Sequence, residues 1–292
     1  MGAMALTVQH HAEVEAFLTA AGPFLEEHEA ENNLLFGISS AVRATPDLFA
    51  DEPPRFATVT DDAGRIVAAT LRTPPHNQVL SWTHDMHAVD ALVDALRPEP
   101  LPGVLGPTDA AARFAAGWTD ATGQSAAIEV AERIFRLSRV IRPDRPASGS
   151  WRLVEPRDRD LIAHWVVDFL TEAMPEAPPV EDPAGTADRW IARAGRLGYV
   201  WEDGSAVVSM VGASGETPNG IRIGPVYTPP EHRNRGYASS LTAAVSGDQL
   251  ERGRRFCFLF TDLANPTSNK IYRAIGYEPV CDVDQVRFGA GA

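Results

Sequence analysis

The chain has 292 residues and a formal net charge of −13 at pH 7, with 44% hydrophobic residues. The acidic balance argues against non-specific binding to nucleic acid or anionic lipid, and the ordinary hydrophobic content argues against wholesale disorder. No apolar run approaches a membrane span, the start does not resemble a secretory signal, and two cysteines are too few for a disulfide framework. We therefore expect a soluble cytoplasmic protein. Because domains commonly have about 150 residues, two domains are expected, with one large domain as the alternative.

The first half of the chain alternates between helical and strand-like patterns. In chain order the patterns predict helices at 14–28 and 33–42, strands at 55–59, 66–71 and 78–82, a helix at 89–96, a strand at 103–105, a helix at 109–118 and a strand at 128–140. Residues 142–150, rich in Pro, Ser and Gly, are predicted to form an exposed linker.

The second half shows the same order of elements with clearer signals. The patterns predict a strand at 151–154, a helix capped by Asp158, a helix at 187–197, strands at 199–201, 206–212 and 221–227, a helix at 236–252, a strand at 256–260, a short helix, and a strand pair from Tyr277 to Phe288. Asp203-Gly204 is a hairpin turn signal. We expect two tandem domains, 1–141 and 151–292, joined by the linker 142–150.

The first segment that carries chemistry runs from the strand ending at Tyr227 into the helix that follows. After two prolines comes the loop Arg233-x-x-Gly236-x-Ala238. A helix start presents unpaired backbone N–H groups and suits a phosphate, which Gly236 allows to approach closely and which Arg233 and Arg235 can bind. The alternative is an ordinary turn, since the pattern is neither a Walker A loop nor a dinucleotide fingerprint.

The second segment, 265–277, is a short helix with both ends marked. Asn265 suits the N-cap, Pro266 the first helical position and Gly276 the left-handed position at the end. Ser268 and Tyr272, four residues apart, share one face. By itself this pattern is also typical of a tyrosine that only packs.

Together, and in this order, the two segments resemble the GCN5-related N-acetyltransferase (GNAT) family. Arg233-x-x-Gly236-x-Ala238 matches the family's motif for the acyl-CoA pyrophosphate. Asn265, Ser268 and Tyr272, followed by Gly276-Tyr277, match its Asn-x-x-Ala/Ser-x-x-x-Tyr-x-x-x-Gly-Phe/Tyr signature. The resemblance covers residues 151–292 and implies an α/β fold with a mixed sheet, of the GNAT type.

The resemblance also implies roles for individual residues. Strand 223–227 is expected to part from strand 256–260 and leave a wedge for pantetheine, and the N–H of Val226 is expected to polarise the thioester carbonyl. Tyr272 is expected to lie beside the thioester sulfur as a general acid. The implied acyl-CoA-binding residues are Val226, Thr228, Arg233, Asn234, Arg235, Gly236, Tyr237, Ala238, Ser239, Asn265 and Ser268.

The general base stays unassigned, because the strand 221–226 carries no carboxylate. Glu172 and Glu176 can reach an acceptor site from the loop after the first helix of this half, and the alternative is a solvated acidic loop. His84 and His87 lack the further ligands that a zinc site needs, so we predict no metal.

The predicted function is transfer of an acetyl group from acetyl-CoA to a primary amine of a small molecule or peptide. The negative charge favours a cationic acceptor, and neither nucleic acid nor membrane is an expected partner. The alternative is a regulatory module that binds acyl-CoA without turnover. Residues 81–89 contain no glycine and no arginine. The first half therefore resembles a degenerate GNAT domain that shapes the acceptor pocket or the domain interface.

Overall fold

The computed structural model describes residues 5–50, 52–97, 100–143, 145–173 and 182–290. The chain forms two compact units. The first consists of Met1–Phe135, Phe260–Asn265 and Pro279–Ala292, and the second of Arg136–Leu259 and Pro266–Glu278. The last strand of the chain is thus grouped with the first unit, whereas the sequence assigns all of 151–292 to one domain.

The first unit contains the first ten helices and strands in the chain and the last strand. Their bounds are β1 Thr7–His11, α1 Val14–Glu27, α2 Asn33–Ala44, β2 Arg55–Thr60, β3 Ile66–Arg72, β4 Gln78–Leu80, α3 Met86–Leu96, β5 Gly103–Pro107, α4 Thr108–Thr122, β6 Ser125–Leu137 and β12 Glu278–Gly289. The sequence patterns missed β1, a short strand at the edge of its sheet.

The sheet of the first unit has the order β1-β2-β3-β4-β5-β12-β6. β4 and β5 are parallel, whereas β12 runs antiparallel to β5 with Val286 opposite Val104. Helices α3 and α4 cover one core around Phe114 and Trp118, and α1 and α2 cover a second core around Phe17. β12, from the second half of the chain, lies between β5 and β6 in this sheet.

The second unit contains the remaining elements. Their bounds are β7 Ser150–Leu153, α5 Arg159–Ala173, α6 Pro183–Ala192, β8 Arg196–Asp203, β9 Ala206–Glu216, β10 Gly220–Tyr227, α7 Tyr237–Glu251, β11 Phe256–Asp262 and α8 Pro266–Ala274. The sheet order is β11-β10-β9-β8-β7, and only the pair of β10 and β11 is parallel among the strand pairs described within it. Helices α5 and α6 bury Trp165 and Trp190 against β8, β9 and β10.

The predicted repeat of elements is confirmed. From β1 to β6 and again from β7 to β12, the chain runs strand, two helices, three strands, helix, strand, helix, strand. This order, with a mixed sheet, confirms the predicted α/β fold.

Three local predictions were wrong. Tyr277 to Phe288 is not a strand pair, because Glu278–Gly289 forms one continuous strand. The helix predicted at 187–197 ends at Ala192, and Arg196 already belongs to β8. Asp158 closes the short turn before α5 by accepting the N–H of Glu155 and pairs with Arg152, so its carboxylate serves that turn and not the helix.

Candidate functional site

The strand β10 parts from β11 along its length. The two strands pair from Gly220 opposite Phe256 to Arg222 opposite Phe258, and β10 then continues to Tyr227 alongside β9. The pairing with β9 is irregular between Ile223 and Val226. The pairing described for β10 with β11 thus covers only the first three residues of β10, and the end of β10 is paired with β9.

The loop after β10 brings the predicted phosphate-binding residues to the start of α7. Gly236 precedes the helix with φ +80° and no side chain caps the helix end. The N–H groups of Tyr237, Ala238 and Ser239 occupy the first helical positions, where no carbonyl within the helix can accept them. A Cβ at Gly236 would have only the methyl of Ala147 nearby, at 3.9 Å. This helix start is therefore open to an external anion.

The side chain of Arg233 has protein partners in this structure. Its Nε donates to the carbonyl oxygen of Thr228 at 2.8 Å, and its guanidinium donates to Glu172 Oε2 at 2.6 Å. The hydroxyl groups of Thr228 and Ser209 share a hydrogen bond of 2.8 Å, which fixes the start of the loop. Arg235, like Arg233, is exposed. The guanidinium of Arg233 is thus turned towards α5 and the backbone of its own loop.

The second predicted segment packs on α7 through Tyr277. The ring of Tyr272 meets the ring of Tyr277 edge-on with centroids 6.0 Å apart, and the hydroxyl of Tyr277 shares a hydrogen bond of 2.8 Å with Ser246 of α7. Burial raises the pKa of Tyr272 to about 12. Its side chain therefore remains a phenol, and so a hydrogen-bond donor, at neutral pH.

The other two residues of the second motif lie at the start of α8. Asn265 immediately precedes the helix, its N–H donates to the carbonyl of Asp262 at 3.0 Å, and it is grouped with the first unit. Ser268 lies in the first turn and is half-buried. Gly276 follows the helix with φ +104°, in the left-handed region as predicted.

A polar face of α5 lies against the end of β10, and only Glu172 of this face was predicted from the sequence. His164, Asp168 and Glu172 follow at intervals of four residues. The hydroxyl of Tyr227 donates to Asp168 Oδ2 at 3.4 Å, and His164 Nε2 lies 3.4 Å from the same oxygen. Burial, and then the charges of Asp168 and Glu172, raise the pKa of Tyr227 to about 12. The regular spacing of polar residues opposite the apolar face of this helix was the available signal. Glu176, the other carboxylate considered as a base, lies outside the described residues.

The corresponding loop of the first unit is built differently. Asp85 caps α3, with its Oδ1 accepting the N–H of His87 at 3.0 Å. The N–H of Trp82 is accepted by Asn32 Oδ1 at 2.8 Å. His84 packs edge-on against the ring of Trp82, whereas His87 lies 3.7 Å from Asp90. In the first unit a side chain therefore caps the start of α3, whereas no side chain caps the start of α7.

Neither a membrane-spanning helix nor a metal-binding cluster is found among the residues that the structure describes. Within the described ranges, no helix combines the length and the hydropathy needed to span a bilayer. Among the same residues, no three side chains of His, Cys, Asp or Glu are grouped closely enough to hold a metal ion.

Comparison with protein families and known proteins gives one match by sequence. The model of the FR47-like protein family matches residues 201–286, which include the loop after β10 and α8. A search of curated proteins found no match.

Comparison with solved structures shows the fold of the whole chain. A Drosophila protein aligns with a TM-score of 0.67 at 12% identity, over 99% of this chain and 100% of its own. A GCN5-related N-acetyltransferase from Sphaerobacter thermophilus gives 0.56 at 18% identity, over 98% of each chain. A tandem GNAT protein from the clavulanic acid biosynthesis pathway gives 0.54 at 15% identity, over 99% of each.

These matches confirm the resemblance that the two motifs indicate. The chain has the GNAT fold in a two-domain architecture.

Proposed function

We propose that the chain is an N-acetyltransferase that transfers the acetyl group of acetyl-CoA to a primary amine, with its active site in the second unit. The observation that carries the proposal is the uncapped start of α7 at Gly236, placed where β10 parts from β11. A diphosphate suits such a helix start, and the place where the strands part suits the extended pantetheine arm. The tandem GNAT neighbour is described as a structure without acetyl-CoA, wording that treats acetyl-CoA as a ligand of that protein and supports this choice of donor.

In the proposed reaction the amine nitrogen forms a bond to the acetyl carbon while the bond from that carbon to sulfur breaks. The cationic amine first loses one proton to become the nucleophile; its nitrogen loses a second on forming the amide, and the sulfur gains one. The N–H of Val226 donates to the thioester oxygen, where negative charge develops. Tyr272, held as a phenol by its burial, donates its hydroxyl proton towards the departing sulfur.

The proposed acceptor is a cationic amine. Asp168 and Glu172 place two carboxylates of α5 at the end of β10, and both are partly exposed. They attract a positively charged acceptor, and these carboxylates, which also accept hydrogen bonds from Arg233 and Tyr227, are suitable acceptors for its proton. Both cysteines are free, which agrees with the reducing cytoplasm as the proposed location.

The test measures thiol release from acetyl-CoA with a panel of primary amines, after thermal unfolding has shown whether CoA stabilises the protein. We expect a higher Tm with CoA, since a ligand that binds only the folded chain stabilises it. We also expect thiol release with at least one polyamine, amino sugar or basic peptide. Stabilisation without release on any amine would favour a binding module, and the absence of any stabilisation would contradict the site itself.

A further inference from the structure

The segment 145–149, which we call the strap, lies against the first turn of α7. The N–H of Ala147 donates to Ser240 Oγ at 2.9 Å. The methyl of Ala147 is also the nearest atom to the position that a side chain at Gly236 would take, at 3.9 Å. These contacts place the strap beside the residue at which the proposed phosphate site begins, although the sequence predicts only an exposed linker here.

Asp203, at the end of β8, holds the strap and α7 together. Its Oδ2 accepts the hydroxyl of Tyr237, the first residue of α7, and the hydroxyl of Ser148 at 2.8 Å. The indole N–H of Trp201 donates to the carbonyl of Ser148 at 2.7 Å. The hydrogen bonds from Tyr237 and then Ser148 hold the pKa of Asp203 below its usual value, so the carboxylate is ionised at neutral pH.

Gly149 fixes how the strap enters β7. It has φ +96°, and a Cβ there would lie 2.2 Å from the carbonyl oxygen of Glu202, closer than any side chain allows. The absence of a side chain therefore permits a close approach of the strap to β8. The strap is thus anchored to α7 and β8 at Ala147, Ser148 and Gly149.

The strap also contains a positively charged residue. Arg145, two residues before Ala147, is exposed. Arg233 is already bound to Glu172 and to the loop backbone, so its fork is not directed at the start of α7. In a chain with a net charge of −13, a tetra-anionic ligand needs cations close to its phosphates.

We propose that Arg145 is a ligand-binding residue that contacts the phosphate groups of the acyl-CoA donor. The inference rests on the proposed function, which supplies the ligand. A guanidinium can bind a phosphate through two parallel hydrogen bonds, and an anchored segment loses little conformational freedom when it does so.

The test is a calorimetric titration of the full chain with CoA and with 3′-dephospho-CoA, for the wild type, Arg145→Ala and Arg157→Ala. Arg157 is the control for the loss of one exposed positive charge, because its guanidinium pairs with the carboxylates of Glu155 and Glu202 and not with α7. We expect Arg145→Ala to weaken CoA binding about tenfold at low salt, as loss of a charge-assisted pair would, and less at about 0.5 M salt because of screening. Arg157→Ala should stay close to the wild type, and the Tm of the free protein should be unchanged in both variants.

Comparison of the two ligands distinguishes the 3′-phosphate from the diphosphate, because 3′-dephospho-CoA lacks only the 3′-phosphate. A loss with CoA alone places Arg145 at the 3′-phosphate, and an equal loss with both ligands places it at the diphosphate. Affinities of Arg145→Ala that equal those of the wild type or of Arg157→Ala with both ligands overturn the inference while leaving the proposed function intact. A wild-type chain that binds neither ligand overturns both.

Discussion

The helices α3 and α7 follow equivalent strands of the two repeats, and they begin in opposite ways. At α3 the carboxylate of Asp85 accepts the N–H of His87, so the helix start already carries a negative group. At α7 the residue in the same place is Gly236, which has φ +80° and caps nothing. One order of elements thus gives one helix start that is neutralised and one that is open to an anion.

Under the proposed function, this difference assigns anion binding to only one of the two copies of the repeated fold. The N–H of Trp82 in the first unit is accepted by Asn32, and the N–H of Ala69 is accepted by Ser81. These backbone donors around β4 therefore already have side-chain acceptors. In the second unit the N–H groups of His232 and Arg233 bond to carbonyls of their own loop, whereas no side chain caps the start of α7 that follows. Because function depends on such groups and not on the order of elements, we infer a single anion site per chain.

The largest effect is expected from giving α7 the cap that α3 has. Gly236→Asp places a carboxylate where the diphosphate is proposed to bind, and a side chain at φ +80° is strained. We expect CoA affinity to fall by at least about 100-fold, or about 2.7 kcal/mol, in a calorimetric titration.

Two variants separate the causes of that loss. Gly236→Ala introduces the strain without the charge and should weaken binding less. Gly253→Asp introduces the same charge at a positive-φ glycine beyond the far end of α7, where a Cβ meets nothing within 4 Å, and should bind normally. Micromolar CoA binding by Gly236→Asp would show that α7 does not hold the phosphates.

The next effect concerns turnover and not affinity. Tyr272→Phe removes the hydroxyl proposed to donate to the sulfur and keeps the ring that packs on Tyr277. We expect kcat to fall about 100-fold, in the usual range for a general acid, with little change in KM for acetyl-CoA. Tyr199→Phe, which removes a hydroxyl bound to Asp248, is the control. Equal steady-state rates for Tyr272→Phe and the wild type would remove Tyr272 from the mechanism.

The pH dependence follows from the same residue. Burial raises the pKa of Tyr272 to about 12, so the phenol keeps its proton throughout the neutral and mildly alkaline range. The rate with an amine acceptor should rise with pH as the amine loses its proton and should then level off. A fall in the wild-type rate between pH 8 and 10 that disappears in Tyr272→Phe would contradict this protonation state.

The smallest effect is expected in the first unit. Asp85→Ala removes the cap of α3 and should lower the free energy of unfolding by about 1 kcal/mol, seen as a lower Tm, while CoA affinity stays unchanged. Asp94→Ala, which removes an exposed partner of Arg97 on the same helix, should change little. A change in CoA affinity in Asp85→Ala would contradict the claim that the start of α7 binds CoA and the start of α3 does not.

The sequence predicts best the features that depend on neighbours in the chain. The order of elements in both halves, the glycine before α7 and both ends of α8 follow from periodicity and capping signals. The sequence predicts a strand pair where the structure has the single strand β12, in which Asp282 and Asp284 interrupt the apolar pattern. In the structure Asp282 pairs with Arg133 at 2.6 Å, and Asp284 is buried opposite Gly106.

The candidate site shows the same limit. The loop after β10 could be predicted because its donors are backbone groups fixed by local conformation. The pairs Arg233 with Glu172 and Tyr227 with Asp168 join residues 61 and 59 positions apart. The contact of Ala147 with Ser240 spans 93 positions. Partners at such distances are set by the packing of helices and strands, which a local pattern does not contain.

The number of CoA molecules bound per chain is the most direct test of the central claim that only the second helix start is open. A calorimetric titration of the full-length wild type with acetyl-CoA should give a stoichiometry of one. Two sites per chain, or none, would contradict the account.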